Sequence, residues 1–240
     1  MKIGILETGL INEKLCDRYD SYPLMFASLL DRAGPDFEYR SYSVVRSEMP
    51  GSIHDCDGWL ITGSRHGAYE KLDWMLALEG FICELYRASV PLVGICFGHQ
   101  IIAQALGGEV VKSDKGWSIG VQSYDIDIAQ DWMTVAPGQV LIYSFYQDQI
   151  TVLPPGASVF SGSVFCPYAG LSYGDSIISV QAHPEFELEY TLALIDIYGG
   201  NKIPEAIAAE ALDKIQNSGF RADTQMLADW LGSFFVKSKN

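Results

Sequence analysis

Val90-Pro91-Leu92-Val93-Gly94-Ile95-Cys96-Phe97-Gly98-His99-Gln100 joins a short unbroken apolar run to a helix-like segment across a Gly-x-Cys-x-Gly turn. A run with no polar alternation is expected of a strand covered on both faces, and Pro91 sits at its start, where a strand tolerates proline. Helical composition then continues over residues 98–106 and is stopped by Gly107-Gly108. A sharp strand-to-helix turn of this kind pushes one side chain out above the carboxyl edge of a sheet. It has the layout of a nucleophile elbow with cysteine at the apex. Glycines two residues to either side of Cys96 allow strand and helix to pack closely around it.

The same alternation extends outward from the turn. Residues 3–6 read as a strand, 22–32 as a helix, and 37–45 and 58–62 as extended segments. Residues 72–86 read as a helix with Trp74, Leu78, Phe81, Ile82 and Leu85 along one side. Strand and helix in turn imply right-handed βαβ crossovers, hence an α/β fold with a mostly parallel central sheet and helices on both faces. From Glu109 to about Val180 the pattern changes to short extended segments with turn signals, Ala136-Pro137-Gly138 and Pro154-Pro155-Gly156, which predict antiparallel ribbons appended to that sheet. Beyond Gly199-Gly200 lie two helical candidates. The second carries Met226, Leu227, Trp230, Leu231, Phe234 and Phe235 in one apolar stripe, expected to dock on the core, with a partner-binding helix as the alternative. The expected organisation is one domain over 1–199 and a helical C-terminal extension, 200–240, packed on it.

The 240 residues carry a formal charge of −14, with 48% hydrophobic and 19% charged residues. That supplies a sizeable core and argues against nucleic acid as a partner, since phosphate binding needs clustered Lys and Arg. No apolar run is long enough for a membrane span, and the short apolar start followed by Glu7 and Thr8 reads as a first buried strand rather than a signal peptide. Cys16, Cys56, Cys83, Cys96 and Cys166 are odd in number and widely spaced, without a Cys-x-x-Cys pair. Free thiols in a reducing, cytoplasmic setting are expected, and neither a disulfide scaffold nor a metal site.

The helix that follows Cys96 places backbone N–H groups, notably that of Phe97, where an oxyanion would develop. Its terminus also favours a thiolate, by roughly 0.3–1 kcal/mol and up to about 2, equivalent to at most about one and a half pKa units. A useful thiolate population near neutrality therefore calls for a base as well. His183-Pro184-Glu185 supplies the candidate, at the end of a strand-like segment over residues 176–182. The proline biases His183 to extended backbone, which puts residues 183 and 185 on one side. A carboxylate there can fix the imidazole tautomer, the role of a third triad member. Taken singly, Gly-x-Cys-x-Gly also describes a buried structural cysteine, and His-Pro-Glu a turn with a polar edge. Both motifs at predicted strand ends, where an open α/β sheet gathers its ligands, point to catalysis.

Gly94 to Gln100 followed by His183-Pro184-Glu185 resembles the class I (triad) glutamine amidotransferases, and within them stand-alone proteins similar to the glutaminase domain of GMP synthetase. The resemblance runs from Lys2 to about Tyr198. It implies a flavodoxin-like sheet, no cofactor, and hydrolysis of glutamine or another γ-glutamyl amide through a thioester on Cys96, with His183 as base and Glu185 as its orienter. It further implies that Ile61-Thr62-Gly63-Ser64 is the glycine-rich loop whose Gly63 N–H joins Phe97 in the oxyanion hole, and that Gln100 helps hold the glutamyl group. Ser144-Phe145-Tyr146-Gln147-Asp148-Gln149 would be the segment that grips the substrate's α-amino and carboxylate groups through backbone. Tyr146 stands where histidine is usual, and Arg65-His66 replace a frequent proline-containing continuation. Gly116-Trp117-Ser118-Ile119-Gly120 matches a Gly-Trp-x-x-Gly pattern expected to be a structural turn.

The chain has no phosphate loop of Walker type and no Ser-Gly-Gly-x-Asp-Ser loop for adenylating an ammonia acceptor. A free-standing γ-glutamyl amidase is the leading expectation. A glutaminase subunit delivering ammonia to a separate synthase, and a non-catalytic binding or regulatory protein, are the alternatives.

Overall fold

Leu92, Val93 and Ile95 are all buried because the strand they form is paired on both edges and covered on both faces. The structure is a computed structural model that describes residues 1–34, 36–217, 219 and 221–238. In chain order its elements are β1 (Lys2–Leu6), α1 (Tyr22–Asp31), β2 (Glu38–Tyr42), β3 (Gly58–Ile61), α2 (Asp73–Arg87), β4 (Leu92–Ile95), α3 (Phe97–Ala105) and β5 (Glu109–Lys112). There follow β6 (Ser118–Ile126), β7 (Gln139–Tyr146), β8 (Asp148–Val152), β9 (Ala157–Gly162), β10 (Gly170–Tyr173), β11 (Ile177–Val180), α4 (Leu188–Tyr198), α5 (Glu205–Asn217) and α6 (Thr224–Lys237).

One nine-stranded sheet runs in the order β2-β1-β3-β4-β11-β10-β9-β6-β7, and β5 and β8 form a separate ribbon. The first five strands of that order are parallel, and with β11 in fifth place they have the flavodoxin order. The antiparallel strands β10, β9, β6 and β7 continue the same sheet beyond β11. The side-chain period of two splits the parallel strands between two cores. Ile3, Ile5, Leu60, Val93 and Ile95 face α1 and α6, while Leu6, Trp59, Ile61 and Leu92 face α2 and α3.

The apolar stripe of α6 is covered by this chain itself. Leu227, Trp230, Leu231, Phe234 and Phe235 join the first core, and the Trp230 indole N–H donates to the Val135 carbonyl at 2.9 Å. Each fully buried side chain of this size contributes about 1.5–3 kcal/mol relative to exposure. Two local expectations differ from the structure. The extended segment expected over residues 37–45 stops at Tyr42, because Val45 N–H bonds the Glu7 carbonyl and Ser47 N–H bonds Val44 in a 3-10 turn. Helix α4 has no counterpart among the predicted elements, although Tyr190, Thr191, Leu194 and Ile195 form its buried side at helical spacing. Among the described residues no helix is long and apolar enough to cross a membrane.

Candidate active site

Strand β4 ends at Ile95, and Cys96 takes φ 54° and ψ −103° before α3 begins at Phe97. A non-glycine residue held at positive φ costs roughly 1–3 kcal/mol and persists only where its surroundings impose it. The surroundings here are explicit. Cys96 N–H bonds the Val180 carbonyl at 2.9 Å, and the Cys96 carbonyl accepts from Gln100 N–H at 3.1 Å. A Cβ added at Gly94 would stand 2.6 Å from the Gly98 carbonyl oxygen, and one at Gly98 would stand 2.4 Å from the Ile61 carbonyl oxygen. Both glycines are thus required by the approach of α3 to the strands. Gly98→Ala is expected to destabilise the fold by about 1–3 kcal/mol, because backbone must move to admit the methyl group. A urea midpoint equal to that of wild type would refute this packing argument.

His183 lies beside the elbow because β11 pairs in parallel with β4, in the register Val180 to Ile95. His183 Nδ1 lies 2.7 Å from Glu185 Oε1, and both side chains are buried. Its other ring nitrogen is left free of Glu185, and the ring lies with Cys96 around Gly63. Burial alone would lower the His183 pKa, but the electrostatic pull of Cys96 and Glu185 and the hydrogen bond to Glu185 outweigh it and raise the value to about 10. The site therefore favours the charged imidazolium at His183. Phe186 stacks on the imidazole, centroids 4.0 Å apart and planes 10° apart, and so fixes the ring plane. This contact escaped the sequence reading; an aromatic directly after His-Pro-Glu was its available signal.

Gly63 closes on the same pair, since a Cβ added there would lie 2.9 Å from His183 Cε1 and 3.8 Å from Cys96 Cβ. Its peptide is held from behind by Thr8, a residue assigned no role from the sequence. Thr8 Oγ1 donates to the Thr62 carbonyl at 2.8 Å. That carbonyl and the Gly63 N–H belong to one planar trans peptide and point in opposite directions, so anchoring the oxygen fixes the direction of the N–H. Thr62 Oγ1 accepts Thr8 N–H at 3.0 Å and reaches the Gly63 carbonyl at 3.2 Å. Phe97 N–H lies in the first turn of α3, where N–H groups lack intrahelical acceptors.

The segment Ser144-Phe145-Tyr146 reaches the site through an antiparallel bridge, in which His183 N–H bonds the Tyr143 carbonyl at 2.8 Å. Its side chains are directed into packing. Phe145 lies against Trp117 and Tyr198, each with centroids 5.9 Å away, whereas Tyr146 is buried against Phe165 with its hydroxyl 3.1 Å from that of Tyr124. Gln100 is buried, and its amide nitrogen donates to the Asp148 carbonyl at 2.8 Å and to Gln181 Oε1 at 3.1 Å. His66 bonds Glu70 at 2.8 Å in the loop after β3.

Two further titratable groups contrast with His183. Burial pushes the Cys166 thiol up to about 11, as expected of an unreactive structural cysteine. Burial lowers His99 to about 3, the bonds to Tyr168 and Ser179 only partly opposing it. The unfolded chain, with an ordinary value near 6.5, then binds this proton more readily than the folded one. His99 contributes stability that is present above about pH 6.5 and is lost as pH falls toward 3. Between pH 6 and 4 the unfolding free energy of wild type should fall more steeply than that of His99→Gln, by up to about 1.36 kcal/mol per pH unit. Equal slopes in urea titrations would show that His99 is not buried neutral.

A cavity of about 500 Å³ opens beside Glu185, with Arg18, Tyr19, Arg32, Glu187 and Tyr190 among its walls. Its walls include Glu185 but not Cys96.

A flavodoxin-like sheet carrying a cysteine elbow, a histidine–carboxylate pair and a glycine-rich loop at one edge defines a site of cysteine-amidase type. Residues 15–192 match the glutamine amidotransferase class-I family, and the chain belongs to that family. Gamma-glutamyl peptidase 2 of Arabidopsis thaliana is 30% identical over 226 residues, which cover 90% of this chain and 88% of that protein. GMP synthase (glutamine-hydrolyzing) of Trichormus variabilis is 34% identical over 103 residues, 42% of this chain and 19% of the synthase. A crystal structure of a glutamine amidotransferase from Thermotoga maritima superposes with a TM-score of 0.76 at 18% identity, covering 100% of this chain and 98% of that one; at that identity the likeness speaks for the fold.

Proposed function

We propose that this chain is a self-sufficient cysteine-dependent amidase that cleaves γ-glutamyl amides of small metabolites in the cytoplasm. The observation that carries the reading is the buried Cys96–His183–Glu185 arrangement, in which an imidazole held by a carboxylate lies with the cysteine of a strained elbow around Gly63. The similarity to a γ-glutamyl peptidase over nine-tenths of the chain supports the substrate class.

In the proposed reaction the Cys96 sulfur attacks the γ-carbonyl carbon, and the electron pair displaced onto oxygen is received by the N–H groups of Gly63 and Phe97. Collapse breaks the carbon–nitrogen bond as His183 gives its proton to the departing ammonia or amine, leaving a γ-glutamyl thioester. Water then adds to the thioester carbonyl while His183 takes its proton. The second collapse releases glutamate and restores the sulfur anion facing imidazolium. The backbone of Phe145 and Tyr146 holds the glutamyl α-amino and carboxylate groups, which requires no outward side chain at position 146.

Ammonia and glutamate release from glutamine and a panel of γ-glutamyl dipeptides, measured against a Cys96→Ala control, tests this reading. Cys96-dependent cleavage of dipeptides by the protein alone is the expected result. Silence on every substrate would overturn it in favour of a glutaminase that needs a synthase partner, or of a binding protein.

A further inference from the structure

Gln181 follows β11, and its side chain is wholly buried between α3 and the elbow. Its Nε2 lies 3.7 Å from the Cys96 sulfur, within donor range for so large an acceptor. Which end of this amide faces the sulfur follows from its neighbour. The Asp148 carbonyl can only accept, so the group that Gln100 places 2.8 Å from it is the amide nitrogen. The second hydrogen of that nitrogen reaches Gln181 at 3.1 Å, where only the amide oxygen can receive it. With its oxygen committed to Gln100, Gln181 presents N–H to the sulfur.

We propose that Gln181 is a second hydrogen-bond donor to the Cys96 nucleophile, beside His183, and that Gln100 is the positioning residue that locks it in the donating orientation. The chain of contacts runs from the Asp148 backbone through Gln100 and Gln181 to the sulfur, so it ties the elbow to the strand that follows the Ser144–Tyr146 segment. A donor of this kind favours the anionic sulfur before attack and releases it when the thioester forms and the charge leaves. The inference rests on Cys96 being the nucleophile, and it gives the buried glutamines a task that packing alone does not.

The test is the pH dependence of Cys96 alkylation by iodoacetamide, which needs no substrate and no turnover. Alkylation is read at Cys96 by peptide mass, because Cys16 is exposed and will also react. Gln181→Met removes the donor at similar volume and should move the midpoint upward by about one to two pH units. Gln181→Glu replaces the donor with carboxylate oxygen and should move it further. Gln100→Met should shift it in the same direction by less, and should add nothing in a Gln181→Met background. Thermal unfolding establishes which variants are folded, and any one folded member of the set decides the matter. Wild-type midpoints in the folded variants would overturn the proposal. Failure of the amidase reading is distinguishable, since it leaves these midpoints shifted but every γ-glutamyl substrate uncleaved.

Discussion

Replacing Cys96 by alanine abolishes γ-glutamyl turnover, a loss on the order of 10⁴-fold or more, while the protein remains folded. The substitution removes the atom that becomes the thioester. It also removes the negative partner that offsets burial at His183, so the imidazole that remains has less reason to hold its proton. Little volume is lost, alanine accepts the backbone of residue 96 no less readily than cysteine, and the hydrogen bonds that shape the elbow are made by backbone. Stability should therefore change by less than about 1 kcal/mol. Turnover retained in this variant, with circular dichroism and unfolding midpoint unchanged, would remove Cys96 from the chemistry. Loss of turnover together with loss of fold would show instead that the elbow depends on the thiol.

Glu185→Gln lowers kcat by roughly 10²–10⁴-fold, less than loss of Cys96, with a smaller change in KM. The shape of the side chain is kept, but its charge is lost and one oxygen becomes a donor. Glu185 Oε1 now receives His183 Nδ1–H at 2.7 Å, and its Oε2 is buried with no protein hydrogen-bond partner among the described residues. An amide in this place can turn its NH₂ toward Nδ1, which would leave the proton on the nitrogen that faces the sulfur even when a base is needed there. It also withdraws one of the charges that raise His183, so the pH–rate profile should change shape as well as height. Wild-type rates across the profile would show that Glu185 does not orient the histidine.

The parts of this architecture visible in the sequence were those written by local rules. The apolar run at Leu92–Ile95, the paired glycines around Cys96 and the helical stripe of α2 each impose a pattern that short-range geometry demands. Helix α4 carries weak boundary signals, with no side-chain cap bond at Glu187 and no basic residue in its last turn, although Tyr190, Leu194 and Ile195 keep helical spacing. The turn at Val44–Arg46 was not legible either, since it depends on a hydrogen bond to Glu7, far away in the chain. Thr8 and Gln181 share that feature. Nothing local distinguishes a threonine that holds a peptide more than fifty positions on, or a glutamine that reaches a sulfur 85 positions away.

By itself the sequence determined the fold class, the elbow and the identity of the histidine–carboxylate pair, because backbone sterics and the two side-chain periods act over a few residues and leave their mark on neighbours. Tertiary structure alone decided the rest. It put β11 beside β4, so that His183 meets Cys96. It turned Tyr146 inward to Tyr124. It set the direction of the Gly63 peptide through Thr8 and that of the Gln181 amide through Gln100. Those outcomes are fixed by pairing register and by the need of buried polar groups for partners, and both are properties of segments brought together from distant parts of the chain.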